Sequence, residues 1–207
     1  MLRRLVLGLL VALPLPALAD TLPPQRAEYR AAATLSVNGE EVRGTVAHAR
    51  GMERRETVQD GLRSVLIVRP EQGEAFVLQP ESGAAMRLDS GDPEAAPDLA
   101  ALQRLPAVAE GKEKVAGLDT TRYRVSGGNE EGGFDGMVWA TSDGIYARVE
   151  GAATDGGEPV RLRMELAEVK RGAQDPTLFE LPPGTSLMSF DPIPGRIPEV
   201  FRGGGKD

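Results

Sequence analysis

Between Tyr29 and Leu88 the chain reverses direction at short, regular intervals, and this rhythm is the strongest constraint on its fold. Tyr29, Ala31, Ala33, Leu35 and Val37 alternate with Arg30, Thr34 and Ser36 up to Asn38-Gly39, and Val42, Gly44, Val46 and His48 resume the alternation beyond it. Period two is the strand signature, and Asn-Gly suits a hairpin whose two central residues both need positive φ. Gly51 precedes a charged strand, Glu53-Arg54-Arg55-Glu56, which ends at Asp60-Gly61. Leu62 to Val68 is almost wholly aliphatic, as a strand covered on both faces would be. Turns near Gly73 and Ser82-Gly83 then bound Phe76-Val77-Leu78 and the strand of Met86 and Leu88. These segments predict six strands in an antiparallel meander.

The middle of the chain changes period. Asp92-Pro93-Glu94 reads as an N-cap with proline at the first helical position, Leu99, Leu102 and Leu105 recur on one side, and Pro106 stops the run. A short amphipathic helix is expected from about Pro93 to Arg104. Strands resume at Gly117–Val125, Phe134–Thr141, Ile145–Val149 and Val160–Leu166, the last with the cleanest alternation in the chain. About ten or eleven strands cannot stay flat without curling or splitting. The expected architecture is mainly β (α+β): a strongly curved antiparallel sheet, or unclosed β-barrel, with a short helical lid on its concave side.

Residues 1–19 have the form of a secretory leader. Arg3 and Arg4 precede an apolar run from Leu5 to Leu13, and Ala17-Leu18-Ala19 supplies the small-residue cleavage site. The product is expected in the periplasm, and with no cysteine in the chain it cannot be anchored through a lipidated one. The formal charge of the whole chain is −7, and two of its basic residues lie in the leader. Such an acidic chain without a basic cluster is unsuited to nucleic acid or to anionic lipid headgroups. Residues 20–184 form the expected domain, and 185–207 a Pro/Gly-rich tail. The tail's Leu187, Met188, Phe190, Ile193, Ile197, Val200 and Phe201 suit either packing along the domain or contact with another periplasmic protein.

Little here suggests catalysis. Without cysteine and with one histidine, thiolate chemistry and Cys/His zinc sites are excluded. His48 shares the register of Val42, Gly44 and Val46, the place of a structural histidine. Glu130-Glu131 and Asp89/Asp92 sit among glycines and prolines, where solvated carboxylates are ordinary. The Gly127–Gly133 loop is acidic and followed by a strand, unlike a phosphate cradle. No cofactor or metal is expected. With only 4% aromatic residues the core must be aliphatic. Phe76, Leu78, Met86, Leu99, Leu102, Trp139 and Met164 are the candidates to line a cavity under the helix, since a large curved sheet encloses more volume than one short helix fills.

Several short motifs follow one another in a set order: Gly44-Thr45-Val46, Glu53-Arg54-Arg55-Glu56, Phe76-Val77-Leu78-Gln79-Pro80, Val115-Ala116-Gly117 with Tyr123, Val138-Trp139-Ala140, Asp175-Pro176 and Leu178-Phe179-Glu180-Leu181-Pro182. That order resembles the LolA/LolB-like superfamily of periplasmic proteins. The resemblance covers most of the chain between the leader and Gly184. It implies an unclosed barrel whose lid covers an apolar cavity for the acyl chains of lipoproteins or similar ligands, without catalysis. It also places Arg50 nearest the arginine that tethers the lid. The expected function is binding or carriage of an acyl-chain-bearing ligand. The rival is an envelope-stress or regulatory interaction domain on the same fold.

Overall fold

The computed structural model describes residues 21–89, 102–128, 132–154 and 159–188. Six strands come first: β1 (Tyr29–Val37), β2 (Glu40–Ala49), β3 (Met52–Gln59), β4 (Leu62–Arg69), β5 (Glu74–Gln79) and β6 (Ala84–Asp89). Six more follow: β7 (Ala107–Val115), β8 (Leu118–Gly128), β9 (Gly133–Ala140), β10 (Tyr146–Thr154), β11 (Val160–Arg171) and β12 (Ser186–Met188). All twelve belong to one sheet, in the order β12-β6-β5-β4-β3-β2-β1-β11-β10-β9-β8-β7. The two meanders join through the antiparallel β1–β11 pair. β7 and β12 remain at opposite edges, so the barrel is unclosed.

The six expected strands of the first meander are all present. Asn38-Gly39 and Asp60-Gly61 both adopt the positive-φ pair that a two-residue hairpin requires, as do Arg50-Gly51 and Ala116-Gly117. Two strands escape the sequence pattern. In β7, a register shift between Ala109 and Gly111 breaks the alternation, and residues 109–114 are exposed. β12 is three residues long and pairs in parallel with β6, so the sheet reaches beyond Gly184. The expected Pro93–Arg104 helix lies mostly outside the described residues. Of its positions Leu102, Gln103 and Arg104 are described, and Leu102 is buried. Leu99, Asp92 and Glu130-Glu131 also lie outside the described residues.

Strand parity sorts the side chains onto two faces. The inner face carries the largest core cluster, with Tyr29, Ala31, Val46, Val125, Val138, Val149, Leu162 and Leu166, and Leu102 and Leu22 pack onto it. On β7–β11 the outer face is wet and charged. Arg148 donates to both oxygens of Glu165 at 3.1 and 3.2 Å, and Arg163 bridges Glu150 and Glu165 at 3.4 and 3.1 Å. On β2–β6 the outer face is covered by the chain after β11. Phe179 packs there with Ala47 and Ala49, while Leu181 packs on Val65, Ile67, Leu78 and Ala85.

The segment before β1 closes one end of the core. Tyr146 Oη donates to the Pro23 carbonyl at 3.1 Å, and the amides of Arg26 and Ala27 donate to the Asp143 carbonyl at 3.1 and 3.0 Å. Arg171 holds the Asp143 carboxylate at 3.0 and 3.2 Å, and Thr141 donates to it as well. The Arg171 hydrogen bond is the main force holding the Asp143 carboxyl below the usual aspartate range, with Thr141 acting in the same direction. A depressed folded-state value stabilises the fold above the unfolded-state value of about 3.9 and is lost as pH falls through the folded one. Asp143→Asn is therefore expected to lower Tm at pH 7 by about 2 °C, as suits a half-exposed pair. Thermal scans from pH 7 to pH 2 should show that difference disappearing as acid protonates the native carboxylate.

Candidate functional site

The inner face is not filled evenly. At the centre of β1 and β2 it carries small side chains, with Ala33 paired to Gly44 and Leu35 to Val42. A narrow hollow, open to solvent along one side, lies above them. Its apolar lining is Ala33, Leu35, Val42, Val46, Met164 and Leu166. Gly44 must lack a side chain, because a Cβ there would stand 2.1 Å from the Glu56 carbonyl oxygen of the neighbouring strand. The absence of that side chain lets β3 approach β2 and leaves the floor of the hollow low.

One end of the hollow is polar. Strand parity turns Glu53, Arg55 and Thr57 inward on β3, opposite His48, Val46 and Gly44 of β2. Glu53 and Arg55 form an ion pair through Arg55 Nε, with side chains only 11% and 18% exposed. Tyr29 lies beside them, and burial, reinforced by Glu53, pushes its phenol well above the ordinary value, while Arg55 opposes the shift. This stripe separates the main cluster from a second inner cluster on β4–β6, made of Leu66, Ala75, Val77, Met86 and Leu88. The inner face is thus an apolar surface interrupted by one neutralised pair of charges.

The seven expected cavity residues divide between the faces. Met164 lines the hollow. Leu102 packs into the main cluster and Met86 into the second, both on the inner side. Phe76 and Leu78 have the opposite parity on β5, where Leu78 joins the outer cluster and Phe76 lies under the Arg69 guanidinium at 5.1 Å. Trp139 also faces outward: its Nε1 donates to Glu113 at 2.8 Å, and Arg148 covers its ring at 5.2 Å. The structure therefore does not bring these three together with Met164. Arg50 occupies the β2–β3 turn at φ 52°, and its exposed side chain lies 3.8 Å from Glu28.

His48 is 1% exposed and stacks on Tyr29 with ring centroids 5.6 Å apart. Its Nδ1 donates to the Ala27 carbonyl at 2.8 Å, tying β2 to the segment before β1. Nε2 is buried without a partner among the described residues. Among the described residues no cluster of three or more His, Asp or Glu side chains is placed to hold a metal. None of their helices is long and apolar enough to cross a membrane.

No protein-family model and no curated protein matches the chain. Solved structures do. An uncharacterized conserved protein from Thermus thermophilus superposes with a TM-score of 0.52 at 11% identity, over 79% of this chain and 91% of that one. At that identity the likeness is one of fold. MucB of Pseudomonas aeruginosa in its complex with MucA aligns at 15% identity and a TM-score of 0.44, over 73% of this chain and 54% of that one. The present chain therefore spans about half of MucB. A putative outer membrane lipoprotein-sorting protein domain from Vibrio parahaemolyticus aligns at 9% identity and a TM-score of 0.36, over 73% and 89% of the two chains. The observed fold is the unclosed antiparallel barrel that the LolA/LolB-like resemblance implies.

Proposed function

We propose that this chain is a non-catalytic binding or carrier protein of the periplasm for a hydrophobic ligand that bears an acyl chain. The observation that carries the reading is the open apolar hollow over Ala33, Leu35, Val42 and Met164, on the inner face of a barrel that does not close. An acyl chain entering it exchanges water for aliphatic side chains, at about 0.8 kcal/mol for each buried CH₂. A dozen methylenes give roughly 10 kcal/mol gross. Association costs of at least about 4 kcal/mol leave at most about 6 kcal/mol, a Kd of about 40 μM or weaker, in the range of reversible exchange without chemistry. The leader supports a periplasmic address. His48 fits a structural role, because its bonded nitrogen holds a backbone carbonyl and the other has no hydrogen-bond partner among the described residues.

Ala33→Trp tests the reading by filling the hollow from its floor. Denying two methylenes their place costs about 1.6 kcal/mol, so laurate affinity by calorimetry should fall about tenfold or more. Circular dichroism monitors the fold. Unchanged laurate binding would remove the hollow as the site. The rival reading, an interaction domain, draws on Leu187 and Met188, which are 59% and 56% exposed on the outermost strand. A protein of that kind would ignore both laurate and the substitution.

A further inference from the structure

The polar end of the hollow carries Glu53, Arg55, Thr57 and Tyr29. Glu53 engages Arg55 at Nε through Oε1, an oxygen sealed from solvent. The terminal nitrogens of Arg55 have no acceptor among the described residues, yet the side chain lines the open space. Tyr29 lines the same space, and its hydroxyl makes no hydrogen bond among the described residues. A guanidinium held by an acid at Nε keeps its two terminal amino groups as a fixed fork, a geometry that matches paired oxygens. The far end of the hollow, at Met164 on β11, is three strand spacings from β3, or about 14 Å. Between the two ends lie Ala33 and Gly44, so a linear chain has a low path across the strands.

We infer that Arg55 and the Tyr29 hydroxyl receive the carboxyl oxygens of the acyl ligand, so that the hollow binds single-chain carboxylates head-first against β3. Glu53 is a positioning residue that fixes the plane of the guanidinium. Because the Glu53–Arg55 pair is neutral in sum, recognition rests on donor geometry more than on attraction of net charge. The inference rests on the acyl-binding reading of the same hollow and adds the chemistry of the headgroup.

Three probes of equal chain length separate the possibilities: laurate, methyl laurate and dodecylamine, titrated at pH 7 below their micellar concentrations. Laurate is expected to bind about 10- to 100-fold tighter than dodecylamine, whose head has donors only, with the ester between them. In Glu53→Gln/Arg55→Met, which leaves no lone buried charge, that ratio should fall towards one. Should the double variant fail to fold, Arg55→Lys decides: it keeps the charge but not the fork, and the ratio should drop. A native ratio near one, a preference for the amine, or a ratio that survives these substitutions overturns the inference. If laurate and dodecylamine bind equally and Ala33→Trp weakens both, only the headgroup assignment falls. If none of the three binds, the acyl-binding reading falls with it.

Discussion

Gly151→Val is expected to lower stability by at least about 3 kcal/mol, at the upper end of what overpacking costs. Gly151 on β10 and Gly136 on β9 are register partners on the inner face. A Cβ on Gly151 would lie 2.5 Å from the Asp135 carbonyl oxygen and 2.7 Å from Phe134 Cζ. One on Gly136 would lie 2.2 Å from the Glu150 oxygen and 2.7 Å from the same ring atom. The Phe134 ring occupies the space that two side chains would otherwise take, and the two backbones close up beneath it. Tm should fall by roughly 6–12 °C. Gly111→Ala is the control, since a Cβ there meets nothing within 4 Å. Adding Phe134→Leu to Gly151→Val should rescue little, because the Asp135 carbonyl stays where it is. Substantial rescue would mean that the ring, not the backbone, sets the constraint.

Much of this arrangement is legible in the sequence, and the exceptions have physical causes. Leu62–Val68 reads as covered on both faces, but the cover is partial: Val65 and Ile67 are buried under Leu181, Leu66 and Val68 are half-buried, and Leu62 is exposed. Met164 is legible because β11 alternates cleanly with arginine and glutamate, so parity alone assigns its face. Phe76, Leu78 and Trp139 are different. They stand in runs, Ala75–Leu78 and Met137–Ala140, in which consecutive residues are apolar on both sides, and parity has no polar reference there. Only the C-terminal segment and the Glu113–Arg148 cover explain why an outward Leu78 or Trp139 is buried.

The polar end of the hollow was hidden for the converse reason. Glu53-Arg54-Arg55-Glu56 reads as one charged patch, but a strand deals its residues to alternate sides. Glu53 and Arg55 turn inward, while Arg54 donates outward to the Leu178 carbonyl at 3.1 Å. A charged segment between two alternating strands must place half its charges on the buried side, and that was the available signal. In β7 the run Glu110–Lys114 resembles a loop because an edge strand needs no apolar face.

Phe179→Ala is expected to cost about 3–5 kcal/mol, the usual range for emptying a buried phenylalanine site. Phe179 is 1% exposed and packs with Ala47, Ala49, Met52 and Leu178 on the outer face. Asp175 starts its turn by accepting from the Thr177 amide at 2.9 Å and the Thr177 hydroxyl at 2.8 Å. The ring therefore pins a segment that goes on to cover Val65 and Ile67 with Leu181 and to supply β12 at the β6 edge. Without it, residues 173–188 should become the first target of limited proteolysis. The native protein should resist under the same conditions. This loss falls on the opposite side of the sheet from Ala33, Arg55 and Met164. The fraction of Phe179→Ala that remains folded is therefore expected to bind laurate with native affinity, whereas Ala33→Trp loses that affinity. Equal loss of binding in both variants would mean that the outer cover shapes the hollow through β3, whose two faces touch both.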